Sequence, residues 1–323
     1  MRHANLNCTN GPRAGLPGAA AALLLAALLP AQAMAQAKGQ RTFASAAEAG
    51  DALVIAAQGG DEKALADILG PDGRDLVASG DATEDARSRA EFVQRYQEMH
   101  RLVREPDGTT TLYIGARNWP TPIPIVNRDQ AWYFDTDAGR REILFRRIGQ
   151  NETATIRVCL ELAEAQKEYR ALRGGSYARS IASDAGQHDG LYWKAGDGET
   201  RSPIGPLVAA AEVKDRKAGP LTPYQGYCFR ALAGQGRQAP GGAHSYAANG
   251  TMTRGFAFVA YPAKYRSSGV MTFIVDRDGI VYQRDLGKGT EAFARTVKAY
   301  NPDAGWKAAE GQLGETAREQ APE

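Results

Sequence analysis

The chain has 323 residues, with 39 Lys plus Arg against 37 Asp plus Glu, a formal net charge of +2, and 43% hydrophobic residues. That length and apolar share suffice for two domains, each with its own core. Near-balanced charge, with no basic stripe interleaved with aromatics, argues against a nucleic-acid partner.

Residues 1–35 carry Arg2 and Arg13, then an apolar run from Ala19 to Leu29, then Ala33 and Ala35 around Met34. This is the layout of a secretory signal peptide cleaved after Ala35. The run is shorter than the roughly 20 residues that span a bilayer, so no transmembrane anchor is expected after cleavage. Cys8 precedes the run and no Cys stands at the cleavage point, which speaks against lipid anchoring. Cleavage leaves equal numbers of the two charges, and a periplasmic or secreted location follows.

Ser45 can cap a first helix through Ala49, Leu53 and Ala56, with Glu48 completing a capping box and Gly59-Gly60 ending it. Asp61 starts a shorter helix through Ala64, Leu65 and Ile68, stopped by Gly70-Pro71-Asp72-Gly73. A third helix is predicted from about Ala86 to Arg104, with Phe92, Tyr96, Met99 and Val103 on one face. Strand-like runs follow at Thr109 to Ile114, Pro122 to Val126 and Ala131 to Phe134. Helices followed by an antiparallel sheet predict an α+β domain over 42–148.

From Asp137 to about Leu172 the chain reads as helical, with an interruption at Gly149-Gln-Asn151 where Asn151 can cap a second half. The face Ile156, Cys159, Leu160, Ala163 and Tyr169 should lie on a sheet. A connection from Gly174 to Pro223, rich in Gly and Pro, is long enough to be functional or an extended wrap. The runs beginning at Gly226, Gly255, Gly269 and Gly279 carry β-branched and aromatic residues between turn signals. They predict a four-stranded antiparallel meander, and with the helix an α+β domain over 149–306. A last helix is expected from Glu291 to Tyr300, and 307–323 reads as a disordered tail.

Catalytic signals are sparse, and the sequence leans away from an enzyme without settling the matter. His100, His188 and His244 lack metal spacing, so neither a metal nor another cofactor is expected. His100, near a helix end, reads as a dipole contact. Cys159 and Cys228 survive export; an oxidising compartment permits a disulfide, and two buried free thiols are the alternative. Alternation puts Cys228 opposite Tyr227 and Phe229, which weakens the pairing. Tyr192, Trp193, Tyr224, Tyr246 and Tyr265 are candidates for an interaction surface, because exposed Tyr and Trp favour recognition.

Three resemblances extend this reading. The order of elements over about 42 to 135 is similar to the nuclear-transport-factor-2-like class, in which helices close over a bent sheet. That likeness implies a ligand cavity, with Phe92, Tyr96, Tyr113, Trp119 and Trp132 as candidate lining. The strings Trp119-Pro-Thr-Pro-Ile-Pro-Ile, Arg147-Ile-Gly-Gln-Asn-Glu152, Asp189-Gly-Leu-Tyr-Trp193, Gly255-Phe-Ala-Phe-Val-Ala-Tyr-Pro262 and Ser268-Gly-Val-Met-Thr-Phe273 resemble a secreted bacterial family, domain of unknown function 2950. The family supplies no catalytic residues. Its members often carry an acidic Asp-Gly-rich stretch where this chain has Arg173 to Ser180, which argues against a metal there. The C-terminal strand order also looks like the globular half of type II secretion pseudopilins, without their apolar N-terminal helix. The reading that results is an exported, non-catalytic binding or structural module of the cell envelope, with an envelope protein as partner. The alternative is a small-ligand binder or enzyme using the N-terminal cavity.

Overall fold

The computed structural model describes residues 39–78, 80–213 and 222–309; residues 1–35, where a signal peptide is expected, and those beyond Ala309 lie outside the described residues. Helix α1 (Ala46–Gly59) begins where Ser45 Oγ accepts from the Glu48 amide at 3.1 Å and Glu48 accepts in return from the Ala44 amide at 2.9 Å. Gly60, at φ 62°, ends it. Asp61 caps α2 (Glu62–Leu69), and a tight turn with the one-turn α3 (Arg74–Val77) leads to α4 (Ala82–Glu98), capped by Asp81.

The third helix stops at Glu98 rather than Arg104. Residues His100–Arg104 form β1, which pairs along its whole length with β2 (Thr110–Ile114). A sheet partner thus overrides the helical spacing of Val103, a β-branched residue at home in a strand. Strands β3 (Trp119–Pro120), β4 (Ile125–Arg128) and β5 (Ala131–Phe134) complete an antiparallel sheet of order β1-β2-β4-β5, with β3 on β2. β4 starts later than Pro122 because Pro122 and Pro124 have no N–H for a ladder. Helices α1 and α2 pack on β5, and α4 packs on β1 and β2. Phe43, Ala49, Leu65, Ile68, Ile125 and Phe134 fill the core between them.

Helix α5 (Thr136–Leu172) opens on Asp135, whose Oδ1 accepts from the Ala138 amide at 2.9 Å. It runs unbroken through Gly149, and Asn151 is an interior residue rather than a cap. The glycine costs about 1 kcal/mol, which contacts made by Asn151 and Glu152 to the second sheet offset. At 37 residues the helix is about 55 Å long and serves both sheets. At its start, Thr136 Oγ1 donates to the Leu69 carbonyl and Arg140 pairs with Asp75. The position 148/149 falls inside α5.

The connection after α5 holds β6 (Ser180–Ala182), β7 (Gly190–Tyr192) and α6 (Pro206–Ala210). Then come β8 (Tyr227–Leu232) and four two-residue pieces, β9 (Gly234–Gln235), β10 (His244–Ser245), β11 (Ala247–Ala248) and β12 (Thr251–Met252). The meander continues with β13 (Ala257–Pro262), β14 (Met271–Asp276) and β15 (Tyr282–Asp285). Helix α7 (Thr290–Thr296), β16 (Ala299–Tyr300) and β17 (Lys307–Ala308) follow. The sheet order is β17-β15-β14-β13-β8, the expected four-strand meander with a fifth strand on its edge.

The last helix ends at Thr296, because Ala299 and Tyr300 pair in parallel with β9. Order extends past Lys307: β17 pairs with β15, and the Ala309 amide donates to the Val281 carbonyl at 2.9 Å. The meander is covered on both faces. Tyr227, Phe229, Phe258 and Phe273 meet Cys159, Leu162 and Ala163 of α5, while Leu232, Val259 and Ile274 meet Tyr246 and Tyr300. The protein is an α+β fold of helices and antiparallel sheets.

Candidate functional site

A cleft of about 520 Å³ lies between α1, α2, α4 and the first sheet. Ligand pockets commonly span about 300–1,000 Å³, so this one suits a small organic molecule. Its wall is apolar: Leu53, Leu69, Phe92, Ile114, Ile123 and Phe134 line it. Exposed Glu84, Ser88 and Glu91 stand at its mouth beside Trp119. The Trp119 ring is flanked by two guanidinium groups, Arg146 at 5.2 Å and Arg95 at 5.8 Å from its centroid. Arg146 is held in place by Glu142 and by the Pro120 carbonyl, each at 2.7 Å, and Arg95 is held by Glu91.

Two residues that line the cleft, Arg89 and Thr121, each have a buried polar atom without a hydrogen bond, Nη1 and Oγ1. The Arg89 side chain is 18% exposed, and its ion pair with Glu62 is long, at 3.8 Å, to a carboxylate that is itself 58% exposed. Buried donors in folded proteins are paired in the great majority of cases. Asp135 Oδ2, Tyr246 Oη and Thr272 Oγ1 are further such atoms away from the cleft.

Of the five aromatics expected to line a cavity, Phe92 and Trp119 do so. Tyr96 packs behind Phe92 at 6.3 Å and donates to Asp51 Oδ1 at 2.9 Å; burial first, then that carboxylate, pushes its hydroxyl up to about 12. Tyr113 lies beneath Arg101 at 4.7 Å and donates to Glu105, on the face of β2 opposite buried Leu112 and Ile114. Trp132 packs on the first core and lines a separate polar hollow with Arg104 and Asn127. Sequence reasoning missed Arg89 and Thr121. The signal for Arg89 was present: it precedes Phe92 by three residues and so continues the apolar stripe of α4, where a charge is out of place.

A family model described as "Protein of unknown function (DUF2950)" matches residues 40–309. The chain belongs to that family. Searches of curated proteins and of solved structures match nothing. Both ends of the DUF2950 match are tied into the fold: Gln40 donates to the Ile68 and Phe134 carbonyls at 3.0 and 2.8 Å, and Ala309 is fully buried. The family unit therefore takes in both sheets.

In the DUF2950 chain the string Arg147 to Glu152 does structural work. Arg147 and Asn151 donate to the Ser267 and Ser268 carbonyls at 3.2 and 2.9 Å. Glu152 Oε1 accepts from the Val270 and Met271 amides at 2.8 and 2.9 Å, and from the Tyr227 hydroxyl at 3.4 Å. These bonds fasten the middle of α5 to the turn that enters β14.

The remaining candidates do not assemble into a site. Cys159 and Cys228 are free thiols buried in different clusters on opposite faces of the meander, so they form no disulfide. Burial pushes the Cys159 thiol up, and Cys228 up to about 11, which leaves neither as a nucleophile. Trp193 and Tyr246 are core residues rather than a surface; Tyr192, Tyr224 and Tyr265 are half-buried on three separate elements. Strand β7 and the close approach at Gly255 draw Trp193 and Tyr246 inward. His100 Nδ1 lies 3.0 Å from the Tyr96 carbonyl at the end of α4, in keeping with a dipole contact. His188 stacks on Trp193 at 4.8 Å, and His244 meets the Gly242 carbonyl. Among the described residues no group of His, Cys, Asp and Glu could hold a metal ion, and no helix is long and apolar enough to cross a membrane.

Proposed function

We propose that this DUF2950 protein is an exported, non-catalytic binding protein of the cell envelope whose cleft takes a small, largely apolar molecule. The observation that carries this reading is a cleft of about 520 Å³ with a predominantly apolar wall and a few polar residues among its lining. The layout of residues 1–35 supports export. A pilin-like sheet presented to an envelope partner has less support, because both faces of the meander lie in core clusters.

The test is titration with the neutral apolar dye Nile red. Saturable binding at one site is expected, and Val77→Trp at the mouth should weaken it at least about tenfold while the circular dichroism spectrum stays unchanged. Absence of saturable binding, or an unaffected Val77→Trp variant, would refute the reading.

A further inference from the structure

We infer that a second site, independent of the apolar cleft, binds an acidic sugar, a pyranose ring bearing one carboxylate, in the polar hollow beside Trp132. Ala44, Arg104, Gly108, Asn127, Gln130 and Trp132 line this hollow of about 360 Å³, a volume within the range of small-molecule sites. Strand register explains why they meet. Arg104, Thr110, Ile125 and Phe134 pair in turn across β1, β2, β4 and β5, so their side chains share the sheet face that Ile125 and Phe134 bury beneath the helices. Asn127 and Trp132 are the cross-strand pair two residues farther along that face, with Cβ atoms about 5 Å apart. The β4–β5 hairpin therefore overhangs the end of β1 and β2, and the hollow lies between its turn and Gly108 in the β1–β2 turn.

The chemistry of the lining selects the ligand. Arg104, Asn127 and Gln130 are exposed, and among the described residues their side chains make no hydrogen bond, ion pair or ring contact. The two amides can each donate and accept, which matches neighbouring hydroxyls that also do both. The half-buried indole of Trp132 supplies apolar surface for the C–H face of a sugar ring. Arg104 is the one charged residue among those lining the hollow. The carboxylates of the β1–β2 turn are engaged elsewhere: Glu105 accepts from the Tyr113 hydroxyl at 3.2 Å, and Asp107 from the Thr109 amide and hydroxyl at 2.9 and 2.8 Å. A guanidinium keeps its charge and takes a carboxylate through two parallel hydrogen bonds, so the ring should carry one acid group. Gln130 adds an independent sign. With Asp129 it forms the centre of a two-residue turn between paired Arg128 and Ala131, at φ 66° and 52°, where Gly is the usual second residue. A side chain is kept at that strained position although its amide meets no protein group, as befits one that meets a ligand.

The test is nuclear magnetic resonance titration of the full exported chain with methyl glycosides of glucuronic, galacturonic and mannuronic acid, each against its uncharged hexose counterpart. The Trp132 indole N–H resonance is assigned by its loss in Trp132→Phe. At least one uronide should move it saturably and bind about tenfold more tightly than its neutral counterpart, as expected for one charge-assisted hydrogen bond gained. Arg104→Met should remove that preference and leave the neutral sugar within about threefold of wild type. Asn127→Ala should weaken both sugars about threefold or more. Gln130→Gly should weaken them similarly while Tm stays equal or rises, a pairing that damage to the fold would not give. Acetate should leave the Trp132 resonance in place. No saturable shift with any uronide up to about 50 mM, equal binding of acid and neutral sugar, or an acetate response matching the uronide's would each overturn the assignment.

Discussion

Replacing Glu152 by Ala removes the one acceptor that receives the Val270 and Met271 amides and the Tyr227 hydroxyl at the junction of α5 and the meander. Hydrogen bonds to a charged group contribute about 1.5–3 kcal/mol each, and a buried donor left unpaired costs a similar amount. The two amide bonds are short and partly buried, and the hydroxyl contact is long and has a second partner in the Met271 carbonyl at 2.9 Å. Counting the amides alone, with some rescue by water, the loss should be about 3 kcal/mol. That is a large share of a typical stability of about 5–15 kcal/mol. Urea unfolding followed by circular dichroism and by tryptophan fluorescence should show the midpoint lowered by about 1 M with an unchanged slope. Glu152→Gln keeps an acceptor oxygen and loses only the charge, so it should fall by less than half as much. A midpoint for Glu152→Ala within about 0.2 M of wild type would refute the fastening role.

Three further outcomes follow from the same geometry. Gly190→Ala places a Cβ 2.5 Å from the Ala182 carbonyl carbon and the Ser183 nitrogen, backbone atoms that no rotamer change can move; calorimetry should show a fall in Tm of about 5 °C or more, and an unchanged Tm would contradict the close approach of β6 and β7. Burial, and then Glu152, raises the Tyr227 hydroxyl above its ordinary value of 10.0, so its contribution to stability is complete below pH 10 and is lost as pH climbs beyond it; Tyr227→Phe should make the alkaline decline shallower by up to about 1.4 kcal/mol per pH unit, and identical slopes would count against the placement. Alkylation of the native protein should leave Cys159 and Cys228 unmodified, and alkylation after denaturation should modify both; a Cys159–Cys228 linked peptide in a native digest would overturn their assignment to opposite sheet faces.

Much of the architecture was legible because it is written in local signals. Ser45 with Glu48, Asp61, and the Gly-bracketed β-branched runs of the meander each specify an element through chemistry within a few residues. The failures share a cause. His100–Arg104 continues the spacing of a helix, yet its partner in β2 is decided by a ladder that no local pattern shows. Tyr300 likewise leaves its helix for a parallel pairing with Gln235, far away in sequence. At Gly149 to Asn151 the local breaker signal is real, and bonds from Asn151 and Glu152 to residues more than a hundred positions onward override it.

The cleft was less legible, for a physical reason. Sequence reasoning reached for aromatics, which are large enough to line a cavity, but a large ring is also what fills one: Tyr96 and Trp132 pack into the cores beside it. Which side chains line an open volume and which fill it is decided by three-dimensional neighbours. Arg89 was the exception that could have been read, a cation on the apolar stripe of α4 whose stem can snorkel only if its head reaches water. With 18% of the side chain exposed, Arg89 lines the cleft and pairs with Glu62 at 3.8 Å. The lining itself comes from stretches of chain as far apart as Leu53, Phe92 and Phe134, so only the packing of helices on the sheet brings the wall together.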